Sequence, residues 1–119
     1  MSLLALTTTP SQETAAKLVL ALVERRLIAC GTMLTGATSI YRWRGAVETA
    51  GETVILMKTT AARWPELKAE LPKLHPYDVP ELLALPVADG YAPYLDWLSA
   101  ETSDGTFEKA QPGAPADEQ

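Results

Sequence analysis

Residues 27–60 read Leu27-Ile28-Ala29-Cys30-Gly31-Thr32-Met33-Leu34-Thr35-Gly36-Ala37-Thr38-Ser39-Ile40-Tyr41-Arg42-Trp43, then Arg44-Gly45-Ala46, then Val47-Glu48-Thr49-Ala50-Gly51-Glu52-Thr53-Val54-Ile55-Leu56-Met57-Lys58-Thr59-Thr60. The outgoing run is rich in Ile, Thr and Tyr, residues that suit a pleated, half-buried surface. Arg44-Gly45 between the two runs is a tight-turn signal, so the segment predicts a long β-hairpin, with Gly31 and Gly36 as sites of bulge or bend. Val54-Ile55-Leu56-Met57 is apolar at consecutive positions, which asks for burial on both faces of the returning strand. Helices packed on one side of an antiparallel sheet cover one face only. The other calls for a second molecule, and the chain is expected to be an oligomer.

Working outward, residues 3–8 form a short apolar strand that ends at Thr9-Pro10. A helix follows, with either Thr9 or Ser11 as its N-cap; Thr9 would place Pro10 at the first helical position and let Gln12 reach back. Ala15, Leu18, Val19, Leu22 and Val23 recur at helical spacing and predict one apolar face. Glu24, Arg25 and Arg26 close the helix, with cations at its negative end. Beyond the hairpin a second helix starts near Arg63, with Pro65 in its first turn and Leu67 and Leu71 on one face. Pro72 is expected to kink or end it. A last long strand is expected over 79–87, with Pro86 marking an edge position. Residues 91–100 read as a short closing helix with Tyr94, Leu95 and Leu98 as its stripe. The order is that of an α+β, ferredoxin-like split βαβ fold, βαββαβ plus a C-terminal helix, occupying residues 1–101. Residues 102–119 are dominated by Ser, Asp, Gly, Pro, Ala, Glu and Gln, with Phe107 as the one aromatic, and predict a flexible C-terminal tail.

A length of 119 residues fits one domain, and 47% apolar with 21% charged residues is an ordinary globular balance. The net charge of −5 and the pI of about 4.8 argue against nucleic acid, which needs a basic stripe; Arg42 and Arg44 beside Gly45 are the densest basic cluster. Cys30 is the sole cysteine, so no intramolecular disulfide can form. The start lacks a basic n-region, no segment is long and apolar enough to span a membrane, and the expected location is the cytoplasm. One histidine and one cysteine cannot build a closed zinc site. No nucleophile-base-orienter set and no glycine-rich phosphate loop is present, so nothing asks for an enzyme, and no catalytic residue is assigned.

The polar candidates fall in two places. In His75-Pro76-Tyr77-Asp78-Val79-Pro80-Glu81, Pro76 and Pro80 push the preceding residues into extended backbone and fix where His75, Tyr77 and Glu81 point. These groups can bind a metal or a polar ligand; as a plain structural element they would satisfy nearby backbone in a rigid helix-to-strand connection. Tyr41 and Trp43 share a face at period two, with Lys58 opposite them on the returning strand. They can line a pocket with a cation at its mouth, or serve as hairpin core and subunit interface. Cys30 reads as a small buried hydrophobe rather than a soft metal ligand.

Several separated segments then match one family in order: Thr8-Thr9-Pro10, Leu27-Ile28-Ala29-Cys30, the run from Gly36 through Tyr41-Arg42-Trp43 to Gly45, Lys58-Thr59-Thr60, the His75 to Glu81 segment, and Tyr94-Leu95-Asp96-Trp97-Leu98. Over residues 3–100 the chain resembles the CutA divalent-cation-tolerance family. The resemblance implies a homotrimer of ferredoxin-like protomers whose strands complete one another's sheets, and a part in tolerance of copper and other divalent cations. It maps ligand-binding residues onto Tyr41, Trp43, Lys58, His75, Tyr77 and Glu81, gathered at a cleft between subunits. Some members of the family hold copper through a Cys at the end of the first strand and a His-His pair before the Pro-Tyr. The matching positions here are Thr7, Leu74 and His75. Only His75 offers a metal ligand, so a divalent cation such as copper is expected to bind weakly at most, and no cofactor is required. PII-type signalling trimers look similar and supply the alternative, a sensor of a nucleotide or small polar ligand at the intersubunit cleft.

Overall fold

The computed structural model describes residues 1–103. Its elements run β1 (Ser2–Thr9), α1 (Gln12–Glu24), β2 (Cys30–Trp43), β3 (Ala46–Thr60), α2 (Trp64–Leu74), β4 (Leu83–Pro86) and α3 (Ala92–Glu101). The strands form one antiparallel sheet in the order β2-β3-β1-β4, the ferredoxin-like arrangement that the sequence predicts.

The hairpin is governed by its turn. Arg44 and Gly45 both take positive φ, 52° and 85°, which matches the right-handed twist of the strands they join and sets Trp43 opposite Ala46. Gly36, at φ 82°, lies where the register slips between Leu34 and Ala37, so it is a bulge. Gly31 is not. A side chain there would come within 2.9 Å of Val19, so Gly31 is small because α1 rests on it.

Alternation along the strands divides the sheet. Ala5, Ile55 and Met57 point toward α1 and α2 and form the core with Leu18, Leu22, Leu67 and Leu71. Truncating a fully buried leucine such as Leu22 to alanine would cost about 2–5 kcal/mol. Leu6, Leu34, Val54, Leu56 and Leu83 share the opposite face by register. The closing helix α3 packs on β3 and β1, with its Tyr94 hydroxyl 3.7 Å from Cys30 Sγ. Within one chain, Val54 and Leu56 are half-buried, while Leu34 and Leu83 remain exposed. The two-sided apolar character of β3 therefore leaves one side incompletely covered.

Helix α1 starts at Ser11, whose hydroxyl accepts the Thr14 N–H at 3.1 Å; the choice between caps falls to Ser11. It ends in a Schellman motif. The Leu27 N–H bonds the Leu22 carbonyl and the Arg26 N–H bonds the Val23 carbonyl, with Arg26 left-handed at φ 59°. Arg26 is held there by Glu101, whose carbonyl accepts from Nη1 at 3.2 Å, and by Arg63, whose Nε donates to the Arg26 carbonyl at 3.2 Å.

Several expectations change. Val23 belongs to the solvent side of α1, at 36% exposed. The outgoing strand begins at Cys30 rather than Leu27, because Leu27 and Ile28 are consumed in the buried turn after α1. Helix α2 runs through Pro72 to Leu74; the proline forfeits one N–H bond at an exposed position in the last turn, too little to stop it. The final strand is far shorter than 79–87, since Pro76 and Pro80 keep the segment before Leu83 off the ladder. Of the tail expected at 102–119, Thr102 is the buried C-cap of α3, its hydroxyl donating to the Leu98 carbonyl at 2.9 Å. The tail beyond Ser103 lies outside the described residues.

Candidate functional site

Pro76 forces His75 into extended backbone at φ −87° and ψ 141°, which ends α2 and turns the imidazole beneath the chain. His75 is 7% exposed. Its Nδ1 accepts the Tyr77 backbone N–H at 3.0 Å, which places the ring proton on Nε2, and Nε2 donates to the Thr8 carbonyl at 2.7 Å. The imidazole thus joins β1 to the segment after α2 and sets the direction of Tyr77. The Tyr77 hydroxyl in turn donates to Glu52 Oε2 at 2.6 Å, the short length of a charge-assisted bond. From the other side, the Thr7 hydroxyl donates to the Glu81 carbonyl at 2.6 Å and fixes the end of the segment.

These contacts close a cavity of about 640 Å³ between the outer half of the β2–β3 hairpin and the segment after α2. Ser39, Tyr41 and Trp43 share a face of β2 at period two, and Glu52 stands opposite Ala37 on that face. Tyr41, Trp43, Tyr77 and Glu81, four of the six residues that the resemblance maps to a cleft between subunits, line this cavity of the single chain, and Glu52, Asp78 and Ser39 join them. Arg44 lies 5.3 Å over the Trp43 ring at the hairpin tip. Burial acts to raise the Glu52 carboxyl, but hydrogen bonds from Ser39, Tyr77 and Thr8 outweigh it and hold the group below the ordinary carboxylate value. Tyr77 moves the other way: burial first, then its bond to Glu52, push its phenol far up, so it remains a donor at all ordinary pH.

Two expected site residues lie elsewhere. Lys58 is opposite Cys30 and Leu4, at the far end of β3 from Trp43, and its Nζ donates to the Thr32 hydroxyl at 2.8 Å. The hairpin register is the reason: pairing counted from the Arg44-Gly45 turn carries Lys58 away from the aromatics. His75 underlies the cavity without lining it. Nor do the residues at the family's copper positions fit a closed metal site in this chain. His75 has both ring nitrogens engaged, the Thr7 hydroxyl is committed to Glu81, and Leu74 has no donor atom. Among the described residues no set of three or more His, Cys, Asp or Glu side chains is grouped so as to hold a metal ion. Cys30 is half-buried rather than fully buried, and burial together with its thiol pushes the Tyr94 phenol up to about 12.

Glu52 is the residue that sequence reasoning missed. A carboxylate between Gly51 and Thr53, in a strand that also carries Glu48 and Lys58, is a weak signal. Its weight comes from Tyr77, a residue from another part of the chain.

The fold and site define a small α+β protein with an acidic, aromatic-walled groove and no catalytic constellation among the described residues. The CutA1 divalent ion tolerance protein family model matches residues 3–101. The divalent-cation tolerance protein CutA of Thermus thermophilus is 50% identical over 97 residues, 82% of this chain and 94% of that one. That of Pectobacterium atrosepticum is 44% identical over 95 residues, 80% of this chain and 86% of its own. The solved structure of the divalent cation tolerance protein (Cut A1) from Thermus thermophilus superposes with a TM-score of 0.84 at 48% identity, covering 87% of this chain and all of that one. The chain belongs to the CutA1 divalent ion tolerance protein family. The match gives no support to the reading as a PII-type sensor. Among the described residues no helix is long and apolar enough to cross a membrane.

Proposed function

We infer that the chain serves divalent-cation tolerance as a homotrimer that binds rather than transforms its ligand, in the cytoplasm, where a free thiol such as Cys30 persists. The groove is the ligand site. One observation carries this: Tyr41, Trp43, Tyr77 and Glu81, which come from separate parts of the chain, meet around one cavity. The open face of Val54, Leu56 and Leu83 supports self-assembly, since apolar surface of this kind is what a second copy covers. Divalent copper binds weakly, through exposed carboxylates such as Asp78 and Glu81, while His75 remains structural. Light scattering at micromolar protein should give the mass of three chains; a monomer mass overturns the assembly. Calorimetric titration of Cu(II) should show only low affinity, and a sub-micromolar site lost in His75→Ala would restore the histidine as a ligand.

A further inference from the structure

Glu52 is 9% exposed, yet its hydrogen-bond partners, the Tyr77, Ser39 and Thr8 hydroxyls, are neutral, and the nearby His75 imidazole has both ring nitrogens engaged by backbone groups. Every ion pair among the described residues lies elsewhere. Those hydroxyls keep the buried carboxylate ionised, but being neutral they do not cancel its charge, which no ion pair offsets. The groove adds Asp78 and Glu81 to its lining and contributes no lysine or arginine. Its electrostatic deficit is therefore a positive charge.

The shape says what kind. The carboxylates are not gathered as a metal shell, so a bare divalent ion would find too few ligands at one point. Tyr41 and Trp43 present ring surface, and Val79 adds apolar wall. Aromatic faces attract ammonium and guanidinium groups, and Trp43 already carries the Arg44 guanidinium at 5.3 Å. A cavity of about 640 Å³ is of the size that takes small molecules.

We propose that the groove binds a small organic cation, a protonated amine or guanidinium on a short apolar chain, with its charge at Glu52 and Glu81 and its body against the aromatic wall. The proposal rests on the reading of the groove as the ligand site. Calorimetry on the full chain with agmatine, with 1,4-butanediol as neutral match and succinate as anionic match, tests both. Agmatine should bind, more weakly as salt rises, and the diol and succinate should not. Glu81→Gln, on the exposed rim and so harmless to folding, should weaken agmatine by about tenfold, the scale of one hydrogen bond to a charged group. Glu52→Gln, checked for native circular dichroism, should weaken it at least as much. Binding of the diol or succinate in place of agmatine, lost in Glu81→Gln, overturns the cation class and leaves the groove as the site. Agmatine binding that ignores both glutamates, or no binding by any of the three, overturns the groove itself. Silence of all three together with a trimer weakened by Glu52→Gln would assign the cation to a neighbouring subunit's side chain and likewise end the proposal.

Discussion

Tyr77 and Glu52 form a pair whose energy depends on pH in a way that can be worked out. Glu52 has its folded value lowered below 4.5, so the stability it contributes is present above about pH 4.5 and is lost as pH falls through the folded value. Tyr77 has its value raised above 10, so its contribution is present below pH 10 and is lost only as pH climbs through the folded value. Tyr77→Phe removes the donor and leaves the carboxylate short of a partner. It should lower stability by about 1–3 kcal/mol between pH 5 and 10, and the deficit should close at lower pH as Glu52 takes a proton. Denaturant melts of both proteins across pH 3–8 measure this; a deficit independent of pH would mean that the phenol contributes packing alone. His75 shows why so much of this was hidden in the sequence. That the segment is stiff follows from Pro76 and Pro80. That its imidazole is spoken for follows from the Thr8 carbonyl, 67 residues away along the chain, and no local pattern announces such a partner.

Gly31 and Gly36 lie on one strand, yet they resist substitution for different reasons. At Gly36 a Cβ would touch nothing, and the penalty is φ alone, about 1–2 kcal/mol for an L-residue in left-handed backbone. At Gly31 the backbone is ordinary and the obstacle is Val19 on α1. Both alanine variants should be destabilised. Adding Val19→Ala should recover most of the loss for Gly31→Ala and none for Gly36→Ala, a double-mutant cycle read by urea midpoints. Equal recovery for both would show that the bulge, too, is held by packing on α1. At this scale the legible parts were those with local chemistry: the Arg44-Gly45 turn, the Ser11 or Thr9 cap, the apolar face of α1 through Leu22. The position of Lys58 was legible in the turn: counting pairs from Arg44-Gly45 puts it opposite Gly31, far from Trp43, and the bulge only shifts it to Cys30. The brevity of β4 could have been anticipated from Pro76 and Pro80, had their missing and misdirected donors been weighed against the apolar run that follows.

Across the whole molecule the sheet has one face sealed by α1 and α2 and another only partly covered by α3. Leu83, on the edge strand, is 56% exposed in the single chain, so Leu83→Lys should leave the fold of a protomer intact. If copies of the chain cover that face, the buried lysine should break them apart. Expected is a native circular dichroism spectrum with a monomer mass by light scattering; an unchanged oligomer would move the interface elsewhere.

The groove has one further consequence, for the order in which the protein can assemble itself. Its floor joins Thr8 to His75, and its rim joins Thr7 to Glu81 across 74 residues, so the chain from β1 to the segment after α2 must be closed before the cavity exists. Such long closures come late, after the local hairpin has formed. A half-formed chain offers nothing for a ligand to recognise. A molecule that binds the groove as proposed would be a certificate of completion: it would leave the rate of folding alone and slow the return journey, by holding shut a junction that only the finished protein possesses.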